Sequence, residues 1–195
     1  MKEGSRATPR LISETNEVFG SVEDENGVDH AARWDRSWEP ATSLRLDLPN
    51  SRYLRLAADG SLAGSYDDQH GSRQVFIERG GQTLLLPDVA GRNINPIGLG
   101  NNGTLIAMDY TNSRGLVWAG GEWLDPDTLV TNNSGGRYRI QTLGAINDEG
   151  TELYGMVQDW QTGDYLPVRL TAVPKPATLA TLALGAGLLL RRRRR

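Results

Sequence analysis

The sequence predicts an all-β body of four degenerate repeats, and three observations carry that prediction. Four segments of one outline recur at separations of 44, 43 and 47 residues, measured between Asn16, Gly60, Gly103 and Gly150. Each is followed, beyond a polar loop, by a second β-prone run. No part of the body carries a convincing helical period of apolar residues.

The elements follow in chain order. The first outline runs Ile12–Ser21, the second Leu56–Ser65, the third Leu99–Met108 and the fourth Ile146–Met156, the last longer by one residue. Each sets an apolar residue, a polar turn closed by Gly or Asn, and a short apolar strand. The second runs are His30–Trp34, Gln74–Ile77, Gly115–Trp118 and Tyr165–Val168, reached through loops such as Asp24-Glu25-Asn26-Gly27 and Gln161-Thr162-Gly163-Asp164. Two apolar runs around a Gly/Asn/Asp loop read as a β-hairpin. Gly80-Gly81 and Gly120-Gly121 mark further tight turns before Thr83–Leu86 and Trp123-Leu124. Each unit of about 45 residues therefore holds three or four short strands, the size of a propeller blade. A blade cannot bury both faces alone, so neighbours must stack, and Trp34 and Trp118 at equivalent positions are expected to fill that core. A β-sandwich is the alternative fold, since evenly spaced strands suit it too. The domain plan is residues 1–10 as a disordered or truncated N-terminus, 11–172 as the repeat domain and 173–195 as a C-terminal tail.

The 195 residues carry a formal net charge of −3, but residues 1–172 hold 15 Lys and Arg against 24 Asp and Glu, a net of −9. An acidic body argues against nucleic acid as a partner. With no Cys there are no disulfides, thiolate metal sites or thiol nucleophiles. His30 and His70 occupy different places in their repeats, which favours structural or solvated roles over a metal site. Asp24–Asp29 has the oxygen-rich look of a calcium loop, yet it aligns with the other hairpin loops, where Asp67-Asp68 and Asp159 recur, so turn chemistry is the favoured reading and weak calcium binding the alternative. Neither a Gly-x-Ser-x-Gly elbow nor a phosphate-cradling Gly loop is present. The expectation is a chain that is not an enzyme and uses no cofactor. Trp38, Tyr66, Tyr110, Trp123 and Trp160 lie in or beside loops, as blade-edge packing or as platforms for surface polysaccharide.

Residues 173–195 read VPKPATLATLALGAGLLLRRRRR. From Ala177 through Leu182 and Leu184 to Leu190 no residue is charged, which predicts one short transmembrane helix. Counted from Thr171 it reaches the length of a span only if Lys175 snorkels. Arg191, Arg192, Arg193, Arg194 and Arg195 would hold the C-terminus in the cytoplasm and leave the body outside the inner membrane. Met1–Pro9 has no apolar signal-peptide core, so either Met1 is an internal start or the chain is a four-unit relic that is never exported.

Two resemblances follow. Ile146-Asn147-Asp148-Glu149-Gly150 and His30-Ala31-Ala32-Arg33-Trp34 resemble the motifs of the bacterial extracellular HAF repeats, over roughly residues 11–172. The tail resembles a PEP-CTERM sorting signal: the proline motif Val173-Pro174-Lys175-Pro176, an apolar helix and an arginine cluster. The family's Glu stands here as Lys175, a reversed charge that makes slow cleavage the expectation. The resemblances imply a protein of a Gram-negative, exopolysaccharide- or biofilm-producing bacterium, with the membrane, an exosortase-type enzyme and surface polysaccharide as partners. Its expected location is the inner membrane with the body outside the cytoplasm, or the cell surface and extracellular matrix after processing. A polysaccharide-acting hydrolase or lyase on a propeller scaffold is the alternative function, and needs a convergent carboxylate pair.

Overall fold

A computed structural model of the chain describes residues 6–35, 43–44, 47–89, 91–129 and 136–171. They form strands β1 (Ala7–Ile12), β2 (Val18–Glu23), β3 (Asp29–Trp34), β4 (Ser43–Leu44), β5 (Arg52–Leu56), β6 (Leu62–Asp67), β7 (Arg73–Arg79), β8 (Gln82–Leu85), β9 (Ile94–Leu99), β10 (Leu105–Asp109), β11 (Arg114–Ala119), β12 (Glu122–Leu124), β13 (Tyr138–Ile146), β14 (Glu152–Asp159) and β15 (Tyr165–Thr171). One 3-10 turn, Pro126–Leu129, follows β12. The fold is all-β, in four consecutive antiparallel meanders: β1–β4, β5–β8, β9–β12 and β13–β15. Four sheets replace the two that a sandwich would need, because each hairpin pairs only with its sequence neighbours.

The loop joining the first two strands has the same geometry in all four sheets. The N–H groups of Asn16, Gly60, Gly103 and Gly150 donate to the carbonyls of Ser13, Ala57, Gly100 and Asn147 at 2.9–3.0 Å. All four donor residues have φ between +61° and +84°. This is the turn-plus-left-handed-residue hairpin that Gly and Asn favour. The first strand of each sheet also carries a bulge: its register slips between Pro9 and Leu11, Tyr53 and Arg55, Pro96 and Gly98, and Leu143 and Ala145. A shared register follows, in which Phe19, Ala63, Ile106 and Tyr154 are equivalent, as are Ile12, Leu56, Leu99 and Ile146.

The sheets pack in succession. β5 lies against β1, β2 and β3; β9 against β5, β6 and β7; β13 against β9, β10 and β11. The first interface holds Phe19, Tyr53 and Phe76, whose rings meet edge to face at 5.9 and 5.6 Å. The second is built on Val75, Ile77, Ile94, Leu105 and Trp118, and the third on Ile106, Val117, Ile140, Leu143 and Val157. Trp34 and Trp118 hold equivalent places opposite Val18 and Leu105, and both are buried. Trp118 belongs to the second interface, whereas Trp34 sits in a separate cluster with Val18, Val22 and Ala32.

The N-terminal expectation needs correction, since residues 7–10 are not outside the fold. β1 starts at Ala7 and pairs with β2 from Ala7↔Val22 onward. Its side chains are mostly exposed, so backbone pairing makes the strand and hydrophobic pattern gives no sign of it. The expected transmembrane helix lies outside the described residues; among those described, no helix is long and apolar enough to cross a membrane.

Candidate functional site

The loop joining the second and third strands is organised around an aspartate. Asp24, Asp68 and Asp159 each stand four residues beyond the equivalent glycines Gly20, Gly64 and Gly155. One carboxylate oxygen accepts the backbone N–H two residues on: Asn26 and His70 at 2.8 Å, Gln161 at 2.9 Å. Val28 and Ser72 add a second N–H at 3.0 and 2.9 Å. The other oxygen meets a side chain: His30 Nε2 at 3.1 Å, Gln74 Nε2 at 3.5 Å, and Arg137 through Nε at 2.9 Å. These oxygens face inward to N–H donors, the pattern of an Asx turn rather than of a calcium shell. Among the described residues no three His, Cys, Asp or Glu side chains gather as a metal group. The backbone N–H of Val28, with the His30 contact next, holds the Asp24 carboxyl down to about 2. Asp68 is lowered chiefly by the Ser72 N–H, and Asp159 by Arg137. His30 is buried against Asp24, whereas His70 is exposed beside Gln69, so the two histidines do not converge.

On the opposite rim the loops between first and second strands touch one another. Asn101 Oδ1 accepts Asp59 N–H at 3.0 Å, Asp148 O accepts Asn101 N–H at 2.6 Å, and Asn102 Nδ2 donates to Gly150 O at 3.3 Å. Glu14, Glu17, Asp59 and Asp148 thereby surround one cleft of about 550 Å³. Glu17 is bonded to Arg33, which lowers its pKa, and Asp59 pairs with Arg79 at 3.2 Å.

A second cleft, about 530 Å³, lies where the third and fourth sheets meet the loop after β8, and Arg92, Arg114, Trp123, Asp125 and Arg139 line it. Arg114 Nη2 donates to both oxygens of Asp125 at 3.0 Å and to Asp127 at 2.9 Å. Asp127 accepts Ile140 N–H at 2.7 Å and faces Arg139 Nε at 3.7 Å. Arg92 Nη1 faces the buried Asp109 at 3.5 Å. The Trp123 indole donates to Pro87 O at 3.1 Å and meets Trp118 edge to face at 5.5 Å. Planar guanidinium–carboxylate pairs beside an indole can hydrogen-bond and stack on a polyol.

Of the loop aromatics among the described residues, Trp123 alone reaches this cleft. Tyr66 packs on Phe76 at 6.5 Å, Tyr110 is exposed, Trp160 is exposed under the Arg139 guanidinium at 6.0 Å, and Trp38 lies outside the described residues. The Arg114–Asp125–Asp127–Arg139 network escaped sequence reading because its members belong to two repeats and share no motif.

The sorting residues Val173, Pro174, Lys175 and Pro176, the apolar Ala177, Leu182, Leu184 and Leu190, and Arg191 to Arg195 all lie outside the described residues. No protein-family model matches the chain, and a search of curated proteins likewise found no match.

Proposed function

We propose that this chain is a non-enzymatic, surface-directed repeat protein, its four sheets acting as propeller-blade-like units and its C-terminal tail as a PEP-CTERM-like sorting signal. The body stands outside the inner membrane, and after processing it joins an exopolysaccharide- or biofilm-type surface layer. The order of proline motif, apolar stretch and five arginines in Val173–Arg195 carries this reading. Glu17 and Asp159 are held by arginines and Asp24 and Asp68 by turn N–H groups, contacts that lower their pKa values and accord with structural roles for these four carboxylates.

The test adds a functional export signal to the full chain in a host that has the sorting enzyme. Protease added to spheroplasts should digest the body, and protection would overturn the topology. Cleavage near Val173–Pro176 should be slow and Lys175→Glu should speed it. Equal cleavage of both versions would show that position 175 is not read, and no cleavage of either would leave a plain membrane anchor.

A polysaccharide-acting hydrolase or lyase is the second reading, and Glu14, Glu17, Asp59 and Asp148 around one cleft are the observation on its side. Release of reducing ends or unsaturated sugars from bacterial exopolysaccharide, lost in Glu14→Gln or Asp148→Asn, would replace the non-enzymatic reading with this one.

A further inference from the structure

The face that each of the first three sheets buries against the next recurs, uncovered, on the fourth sheet. Each sheet presents one face to the first strand of the next, and on that face the second-strand residue is sealed: Phe19 is 3% exposed, Ala63 0% and Ile106 0%. Their equivalent in the fourth sheet, Tyr154, is 39% exposed, and Met156 beside it is 36%. Met156 pairs with Pro167, Tyr154 with Arg169 and Ala145, so these residues share one side of the sheet. Pro167 and Ala145 are exposed as well.

The complementary element is exposed on β1, whose Ile12 lines the same cleft as Asp148 of the loop between β13 and β14. In the interior interfaces the last residue of the first strand docks onto the previous sheet. Ile146 comes so near Gly98 that a Cβ built there would stand 2.7 Å from Ile146 Cγ2. Leu99, the equivalent in the third sheet, is 7% exposed, whereas Ile12 in β1 is 64% exposed. One molecule thus carries both halves of an interface that it already forms between its own sheets.

We propose that the open face of the fourth sheet receives β1 of a second copy of this chain, head to tail, in the register of the internal interfaces. Ile12 of one copy then lies on Ala145 of the next, as Ile146 lies on Gly98, and Tyr154 and Met156 are covered. The occupant is another copy because the interface continues one built from this chain's own repeats, at equivalent positions. Such a contact is heterologous, so repetition of it gives a ring or an open filament according to the rotation it imposes.

The native chain has no Cys, so introduced thiols react without background. Full-length Ile12→Cys and Ala145→Cys variants are purified separately in mild detergent, each with a different tag, then mixed and treated with a short bismaleimide. The proposal expects a covalent dimer carrying both tags in the mixture and little in either variant alone. Adding Tyr154→Glu to the Ala145→Cys chain should reduce that product at least tenfold, with the circular dichroism of the body unchanged. Tyr110→Cys, equally exposed but elsewhere, should not cross-link to Ile12→Cys. No mixed dimer, or equal cross-linking in the single variants, overturns the head-to-tail contact. So does an Ile12→Cys/Ala145→Cys chain that cross-links only within itself and is insensitive to dilution, because the ring then closes on one copy.

Discussion

At Gly20, Gly64 and Gly155 the second strand passes directly beneath the bulge of the first. A Cβ there would come well inside 3.0 Å of the carbonyl oxygens of Thr8, Arg52 and Thr142 respectively. The requirement is steric, since none of the three has a positive φ. Gly64→Ala and Gly155→Ala should therefore each lower stability by about 1–3 kcal/mol, the usual cost of overpacking. Gly144→Ala, with nothing within 4 Å of the added methyl, should be near neutral, and denaturant midpoints will decide. Equal midpoints for all three would show that the bulge relaxes. The sequence displays these glycines at recurring offsets but conceals their reason, because the carbonyl that excludes a methyl belongs to another strand. Ala107 fills the same register in the third sheet opposite Pro96, and nothing in the structure explains why a methyl is tolerated there. Trp34 and Trp118 were legible as buried, and their replacement by Ala should cost about 3–5 kcal/mol each. Unchanged midpoints in either variant would contradict that burial. Asp24 gives a pH signature. Its folded pKa of about 2 lies below the ordinary aspartate value of 3.8, so its contribution is present above about 4 and is lost as pH falls toward 2. Asp24→Asn should flatten the acid limb of the stability profile in that window, and an unchanged limb would remove Asp24 from the acid response.

Among the elements, hairpins were the most legible in sequence, because their turns are fixed by local chemistry. Gly80-Gly81 and Gly120-Gly121 both have positive φ at each position, which a two-residue type I′ hairpin requires. Register was not legible: the equivalent bulge of each first strand falls at a residue of no common type, Arg10, Leu54, Ile97 or Gly144, and β13 carries a second at Gln141. β1 itself was missed, being held by backbone pairing with little burial. Gly121 has φ +91° and joins β11 to β12, the strand that holds Trp123 against Trp118. Gly121→Val should cost of order 1–2 kcal/mol for the left-handed backbone. It should also loosen β12, visible as a reduced near-ultraviolet tryptophan signal while the far-ultraviolet β spectrum persists. Full retention of the near-ultraviolet signal would show that β12 is held by its side chains and not by its turn.

For the molecule as a whole, succession sets the distribution of stability. In a stack of repeats each unit is stabilised chiefly by the neighbours it touches, so units packed on both faces open last. The second and third sheets are each packed on both faces, by the sheets before and after them. The fourth packs against the third through β13, while β15 is exposed along most of its length. That asymmetry was beyond the sequence, where Tyr165–Val168 reads as one more β-prone run equivalent to Gln74–Ile77. Amide hydrogen exchange should therefore show a gradient. Protection should be greatest in β6, β7 and β10, whose residues Ala63, Phe76 and Ile106 are fully buried, and least in β15. At dilution sufficient to keep copies apart, β15 should exchange at least tenfold faster than β7. Raising the protein concentration should slow exchange in β13–β15 if a second copy covers that sheet, and leave β7 unchanged. A single rate across all four sheets at low concentration would mean that the body opens only as one cooperative unit, and that nearest-neighbour stacking does not govern its stability.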